Sequence, residues 1–397
     1  MSVQQREIGR RALLEEIRSS GRIPRIDLSV KTGISRATVT TITADLLREG
    51  LIEEVSDDSP NKDARRGRPR VDLQIRGAAH LIVGAKISNR SLSMVLLDFS
   101  GAQIADLEFE LEKSVFSAPD LSHVLAKATD QLAQEAGYHL GDISGLGVGI
   151  AGIVDAPRGF VHWSPSLDAR NVEFSDVLHA ELGVPVFVDN DANLVAVAEK
   201  YFGLGKTHSD FIVVTIESGV GMGIVIGDEI YRGTRGCGAE FGHTKVHLDG
   251  AMCRCGQRGC LEAYVADYAL LREATFAGGE NVEGDVEELL SAARDGDTMA
   301  RSIVERAGRM FAMGLANIVN IFDPELIILS GEQMRFDHLY AEEVIQAMRR
   351  SIVQVDKAPP EVKIHKWGDS MWAMGAAAYA LDMIAEQAAI GSQPHAE

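Results

Sequence analysis

Apolar residues recur at helical spacing through the first fifty positions, and the breaks between them fall on glycine. Residues 4–19 read as a helix with Ile8, Ala12, Leu13 and Ile17 on one face, ended by Gly21. A short helix from about Arg25 to Thr32 carries Ile26, Leu28 and Val30 and closes at Gly33. Ser35 is placed to cap a third helix, 36–49, in which Val39, Ile42, Leu46 and Leu47 face inward and Gly50 makes the stop. A short helix, a glycine turn and an amphipathic helix form the helix-turn-helix pattern, whose last helix offers its N-terminal residues to the major groove of DNA. Ser35, Arg36, Thr38 and Thr41 occupy that edge. Two strands follow, Leu51–Val55 and Val71–Ile75, joined by the polar stretch Ser56–Arg70; together they read as a wing.

From His80 onward the pattern turns to β-rich apolar runs. Leu81–Ala85, Leu92–Asp98 and Ile104–Leu111 make a meander turned at Ser100-Gly101, followed by a helix over 119–136 and a strand at Gly145–Ile150. Phe211–Ile216, Gly221–Ile226 and Glu229–Tyr231 repeat the plan, with helices after them and a buried strand at Leu326–Leu329. Two halves with one meander-plus-helix plan indicate a duplicated α/β fold with a ligand cleft between them. The helix Ser302–Ile321 carries Ile303, Ala307, Met310, Gly314 and Ile318 on one stripe, read as core before dimer contact. The expected divisions are a head over 1–76, a large domain over 77–388 and a disordered tail over 389–397.

Charge sharpens the reading of the head. The chain as a whole carries −19, yet residues 1–76 hold 15 Lys/Arg against 12 Asp/Glu, a net +3 that leaves −22 for the rest. A mildly basic module on an acidic body fits a double-stranded DNA partner met by the head's own field. Arg65, Arg66, Arg68 and Arg70 surround Gly67 and Pro69, and such an extended stretch can lay guanidinium groups along phosphates or into a narrow minor groove. Read without the head, the same run is a solvated linker, and the head itself could be a three-helix structural or protein-docking module. Residues 1–21 are studded with Arg and Glu, and no apolar run reaches membrane-spanning length, so a cytoplasmic protein with no membrane partner is expected.

The four cysteines lie in one segment, and Cys253-x-Cys255-x4-Cys260 with His243 ten positions before Cys253 offers three thiolates and an imidazole to tetrahedral zinc. Gly256 and Gly259 permit the tight loop this needs. A redox pair or three reduced thiols are the alternatives, and Cys237 and His247 compete for the fourth ligand position.

Several segments resemble one family. Gly149-Ile-Ala-Gly-Ile-Val-Asp155, Val188-Asp-Asn-Asp-Ala-Asn193, Gly238-Ala-Glu-Phe-Gly-His243 and Cys253-Arg-Cys-Gly-Gln-Arg-Gly-Cys-Leu-Glu262 look like the signature segments of the ROK family of repressors, open reading frames and kinases. The resemblance runs from about His80 to about Ala380 and, with the head, is to the repressor branch with its xylose-, glucose- and N-acetylglucosamine-responsive regulators. It implies a two-lobed actin-like, hexokinase-like (ribonuclease H-like) domain. It also makes His243, Cys253, Cys255 and Cys260 the ligands of a structural zinc. Asn190, Asp191, Glu240, His243 and Glu262 match the residues that hold sugar hydroxyls, Asp191 matching the kinase base. Read alone, Asn190-Asp191 is a turn or helix cap before the helix Ala192–Tyr201.

The sequence departs from the family's kinases where phosphates would bind. Their Asp-x-Gly-Gly-Thr loop corresponds here to Lys86-Ile-Ser88-Asn89-Arg90, with Lys for the carboxylate and no glycine. Glu217-Ser218-Gly219 places a carboxylate where a second phosphate loop is expected, and Ser330-Gly331-Glu332 replaces a Gly-Gly. The expectation is a sugar-responsive DNA-binding regulator, a homodimer or tetramer that binds a monosaccharide or derivative without phosphorylating it. An active sugar kinase with an added head is the second reading.

Overall fold

The computed structural model describes residues 3–56, 71–216, 219–278, 285–331, 342–366 and 370–390. Arg65, Arg66, Arg68, Arg70, Glu217, Ser218, Glu332 and the tail from residue 391 lie outside the described residues.

The head is built from α1 (Val3–Ser20), β1 (Ile23–Pro24), α2 (Arg25–Thr32), α3 (Arg36–Arg48), β2 (Ile52–Ser56) and β3 (Val71–Ile75). Leu13, Leu14 and Ile17 of α1 meet Leu28 of α2 and Val39, Ile42 and Leu46 of α3 in a closed core. Ile8, expected on the inner face, is 63% exposed. At about 100° per residue it stands roughly 140° around the helix from Leu13, so the two never shared a face. Ile26 and Val30 of α2 likewise point outward, leaving Leu28 as that helix's buried anchor. The strands order β1-β3-β2, all antiparallel, with Ile23 opposite Leu73 and Ile52 opposite Ile75. The wing therefore has a third strand, two residues long and too short for periodicity to reveal.

The chain separates into two compact units, one of residues 1–149, 165–188 and 376–397 and the other of 150–164 and 189–375. In the first, β4 (Leu81–Ile87), β5 (Ser91–Asp98) and β6 (Gln103–Glu110) form the expected antiparallel meander, followed by α4 (Ala118–Glu135) and β7 (Ile143–Ile150). A small ribbon, β8 (Ile153–Asp155) with β9 (Phe160–Trp163), belongs to the second unit; α5 (Phe174–Leu182) and β10 (Val186–Asn190) then return to the first sheet, ordered β10-β7-β4-β5-β6.

The second unit repeats this plan. After α6 (Asp191–Phe202) come β11 (Phe211–Ile216), β12 (Val220–Ile226) and β13 (Glu229–Ile230), a second antiparallel meander. Among the described residues the helices α7 (Glu262–Val265), α8 (Asp267–Gly278), α9 (Val286–Arg294) and α10 (Thr298–Phe322) follow. Next come β14 (Leu326–Ser330), α11 (Glu342–Ser351), β15 (Glu361–His365) and α12 (Met371–Ile390). The sheet order is β13-β12-β11-β14-β15, with β14 and β15 parallel to the meander's first strand. Each unit thus joins a meander to two further strands beside its first member, which is the duplication expected from the sequence. On α10, Ile303, Ala307, Gly314 and Ile318 are buried and Met310 half-buried, so the stripe is core. No helix among the described residues is long and apolar enough to cross a membrane.

In the first unit, α12 lies against the head. Arg10, its side chain 4% exposed, pairs with Glu49 and donates to the Ala388 carbonyl at 2.9 Å. Arg18, also buried, stands 3.8 Å from Asp382 and over the Phe99 ring. A guanidinium at the last carbonyls of a helix is favourable both as a donor and toward the helix dipole.

Candidate functional site

The sugar-matching residues begin where β10 ends and α6 starts. Asn190 caps α6 by accepting from Ala192 N at 2.9 Å, while its amide donates to the Gly152 carbonyl at 2.7 Å. The cap reading of Asn190 is therefore its structural role, and it ties two of the signature segments together. Asp191 follows as the first residue of α6, where helix N-terminal amides favour a negative charge.

Glu240 and His243 bracket a single 3-10 turn whose Phe241 is 2% exposed and wedges against Gly314 of α10. His243 N donates to the Glu240 carbonyl at 3.1 Å, which fixes the spacing of the two side chains. Ala239, immediately before, sits in the left-handed region at φ +66°, a conformation alanine adopts only at a cost of roughly 1–2 kcal/mol. Glu262 opens α7, and its Oε1 accepts from the Tyr268 hydroxyl at 3.2 Å. Loss of hydration, together with the charges of Asp191 and Glu262, pushes Glu240 up to about 7. The charges of Asp191 and Glu262 thus reach Glu240, so carboxylates from three separate stretches of chain act on one another, and the His243 backbone is bonded to that of Glu240.

The four metal-ligand candidates also converge. One ligand atom from each of His243, Cys253, Cys255 and Cys260 lies within 4.8 Å of all the others. Cys253 Sγ is 3.7 Å from His243 Nδ1, and Cys255 Sγ is 3.7 Å from Cys260 Sγ. A tetrahedron with metal–sulfur bonds of about 2.3 Å has edges of about 3.8 Å, so the donor set and its spacing fit a zinc-sized ion. The rivals for the fourth position lie elsewhere, since Cys237 donates to the Arg235 carbonyl at 3.1 Å and His247 pairs with the Tyr264 hydroxyl at 3.2 Å. The loop is held by Val246 N donating to the Gly259 carbonyl, Gly259 N to the Ala251 carbonyl and Cys253 N to the Gln257 carbonyl. Gly256 and Gly259 both take positive φ, +85° and +75°, as the tight loop requires. Nδ1 is the His243 nitrogen that faces Cys253 Sγ. Tyr268 further couples the two groups, its hydroxyl lying 3.5 Å from Cys253 Sγ and bonding Glu262.

Sequence reasoning missed two residues here. Asp189 is fully buried and accepts from Asn190 N, Asn193 Nδ2 and Arg232. A carboxylate ending an apolar strand is a signal that a cation must answer it, but nothing local to Arg232 announces that it does.

At the first phosphate-loop position the chain makes a tight hairpin instead of a glycine cradle. Lys86 is 3% exposed and sits opposite Ser93 in the β4–β5 ladder, and Ser88 N donates to the Ser91 carbonyl across Asn89-Arg90. Ser330 is fully buried at the end of β14.

In the head, Ser35 caps α3, its hydroxyl accepting from Thr38 N at 3.2 Å. Arg36 and Thr41 are exposed and Thr38 half-buried, so the first turn of α3 presents a polar edge.

Two family models match separate stretches of the chain. A family model described as winged helix-turn-helix DNA-binding matches residues 10–53, and one described as ROK family matches residues 95–383. A xylose repressor of Caldicellulosiruptor bescii is 28% identical over 356 residues, covering 87% of this chain and 88% of the repressor. The crystal structure of a ROK family transcriptional regulator, a homologue of the Escherichia coli MLC protein, superposes with a TM-score of 0.81 at 25% identity, covering 97% of this chain and 98% of that one. A ROK family glucokinase from Streptomyces griseus, solved with glucose and AMPPNP, gives 0.64 at 29% identity, covering 76% of this chain and 99% of the enzyme.

Proposed function

Because this chain belongs to the ROK family and carries a winged helix-turn-helix at its head, we propose that it is a sugar-responsive transcription regulator. It is a repressor that binds double-stranded operator DNA through the first turn of α3 and the Arg65–Arg70 run. The observation that carries this reading is the pairing of that head with a clustered Asp191, Glu240 and Glu262 in the second unit. Carboxylates recognise paired hydroxyls, and binding a monosaccharide replaces the water they hold with hydroxyl donors. The similarity to a xylose repressor and to a glucokinase solved with glucose supports trying pentoses and hexoses as effectors.

Zinc bound by His243, Cys253, Cys255 and Cys260 fixes the loop that presents Glu240 and Glu262; a centre ligated by four protein groups supplies structure. His243 then holds the metal through Nδ1 and turns Nε2 to the sugar. Asn190 holds the turn that carries Asp191.

The second reading, a sugar kinase, is supported by the glucokinase similarity and by the family resemblance that matches Asp191 to the kinase base. Against it stand a buried Lys86 and a glycine-free hairpin at the first phosphate loop. In the regulator reading, sugar binding changes how two heads of a dimer or tetramer match their half-sites.

Fluorescence anisotropy with the protein's own promoter fragment tests the proposal. Binding that weakens steeply with salt and shifts on adding D-xylose, D-glucose or N-acetyl-D-glucosamine is expected. Absence of binding above that to random DNA overturns it. Sugar-dependent ATP turnover abolished by Asp191→Ala establishes the kinase instead.

A further inference from the structure

Asp189 has no solvent exposure and is paired with Arg232. Its Oδ1 accepts from Asn190 N at 2.7 Å and Asn193 Nδ2 at 3.0 Å, and its Oδ2 from Arg232 Nε at 2.8 Å and Arg232 Nη2 at 2.7 Å. Two donors on each oxygen satisfy the carboxylate, so Asp189 has nothing left to offer a ligand. What it does is join two stretches of chain. On one side it holds the turn that caps α6 and presents Asp191. On the other it holds Arg232, whose carbonyl accepts from Gly238 N at 2.9 Å and so closes the loop that delivers Glu240 two residues later. Within that loop Gly236 N donates back to the Gly233 carbonyl, and Ala239 is held at φ +66°, so displacement at Arg232 is passed on to Glu240 and not absorbed.

Electrostatics make the join necessary. Burial, and after it the charges of Asp191 and Glu262, push the Glu240 carboxyl up, so the loop that holds Glu240 there works against an unfavourable charge. The Arg232 guanidinium resists this by binding the buried Asp189 through two N–H groups in one plane, a geometry a point charge does not reproduce.

We propose that Asp189 and Arg232 are positioning residues: their ion pair is the pin that sets the distance between Asp191 and Glu240 and thereby the affinity for sugar. This rests on the sugar-binding reading above, and the test separates the two.

The full-length protein is titrated calorimetrically with D-xylose, D-glucose and N-acetyl-D-glucosamine, well below its melting temperature. The sugar that binds is then used with Arg232→Lys and Arg232→Met. Removing a residue that orients a ligand-binding group costs about tenfold to a hundredfold in affinity, expected for Arg232→Met. Arg232→Lys, which keeps the charge and loses the fork, is expected to lie between it and the unmodified protein. Zinc content and promoter binding without sugar are expected to stay unchanged in both, because neither depends on the pin. Wild-type affinity in Arg232→Lys and Arg232→Met overturns the pin and leaves the sugar reading standing. Loss of zinc and promoter binding in step with sugar affinity overturns it in favour of a general structural role. If Arg232→Met does not fold, the lysine variant alone decides, on the same criteria. Binding of none of the three sugars by the unmodified protein overturns the sugar reading and the pin with it.

Discussion

Gly256 and Gly259 lie three residues apart in the cysteine loop, share a left-handed backbone and differ in their surroundings. A Cβ at Gly256 would meet nothing within 4 Å, whereas a Cβ at Gly259 would lie 1.9 Å from the His247 carbonyl oxygen. Gly256→Ala therefore carries only the backbone penalty of a non-glycine residue at positive φ, roughly 1–2 kcal/mol. Gly259→Ala carries that penalty and must also open a contact more than 1 Å too short. Its backbone hydrogen bonds, accepted from Val246 N and His247 N and donated to the Ala251 carbonyl, hold it in place; losing one or two of them adds about 1–2 kcal/mol. The total is about 3 kcal/mol for Gly259→Ala against about 1.5 for Gly256→Ala. A loop relieved of metal can relax, so the difference falls on metal affinity, at about 1.4 kcal/mol per tenfold. Competition for zinc against a chromophoric chelator is expected to show about a tenfold loss for Gly256→Ala and about a hundredfold loss for Gly259→Ala. Equal affinities for the two variants would refute the steric argument, and unaltered affinity in both would remove this loop from metal binding altogether.

Three further outcomes are expected. Arg36→Ala, at an exposed position on α3, leaves the head's melting temperature unchanged and weakens operator binding by about 1–3 kcal/mol in an anisotropy titration; unchanged affinity and salt slope would remove α3's first turn from the interface. Burial raises the Asp45 carboxyl, but hydrogen bonds from Arg6 and Arg48 outweigh it and hold the group below its usual range. A depressed carboxylate stabilises above its unfolded-state pKa and loses that contribution as pH falls through the folded value. Asp45→Asn should accordingly lower the melting temperature at neutral pH and approach the unmodified protein in strong acid, and a gap independent of pH contradicts this. Glu240 has the opposite sign: pushed up to about 7, it binds its proton more tightly in the native state, so stability from this group declines as pH rises from about 4.5 to about 7. Melting curves across that window should show Glu240→Gln gaining on the unmodified protein as pH increases; parallel curves count against the carboxylate cluster.

Much of this architecture was legible because it is periodic or local. The strand Phe211–Ile216 and the short helix Arg25–Thr32 were bounded to the residue, one by a run of apolar side chains and the other by a glycine stop. The metal-ligand set was readable because loop spacing limits which side chains can meet. What escaped was whatever depends on partners far away in sequence. β1 is a strand only because β3 pairs with it, and Arg232 answers a carboxylate 43 positions earlier. The misplaced Ile8 was an error of angle, since residues five apart on a helix do not share a face. Asn190 could be read as a cap from its residues and as part of a ligand set from the family resemblance, and in the fold the cap is made.

The clamp between α1 and α12 bears on how the protein matures during synthesis. Arg10 finds its carbonyl partner 378 residues downstream, and Arg18 its acidic neighbour in the same late helix. A nascent polypeptide that has already made a complete helix-turn-helix still has two guanidinium groups of its first helix waiting for the ribosome to reach α12. A message truncated before residue 382 yields a head whose first helix keeps the Arg10–Glu49 pair and lacks both of its contacts with α12.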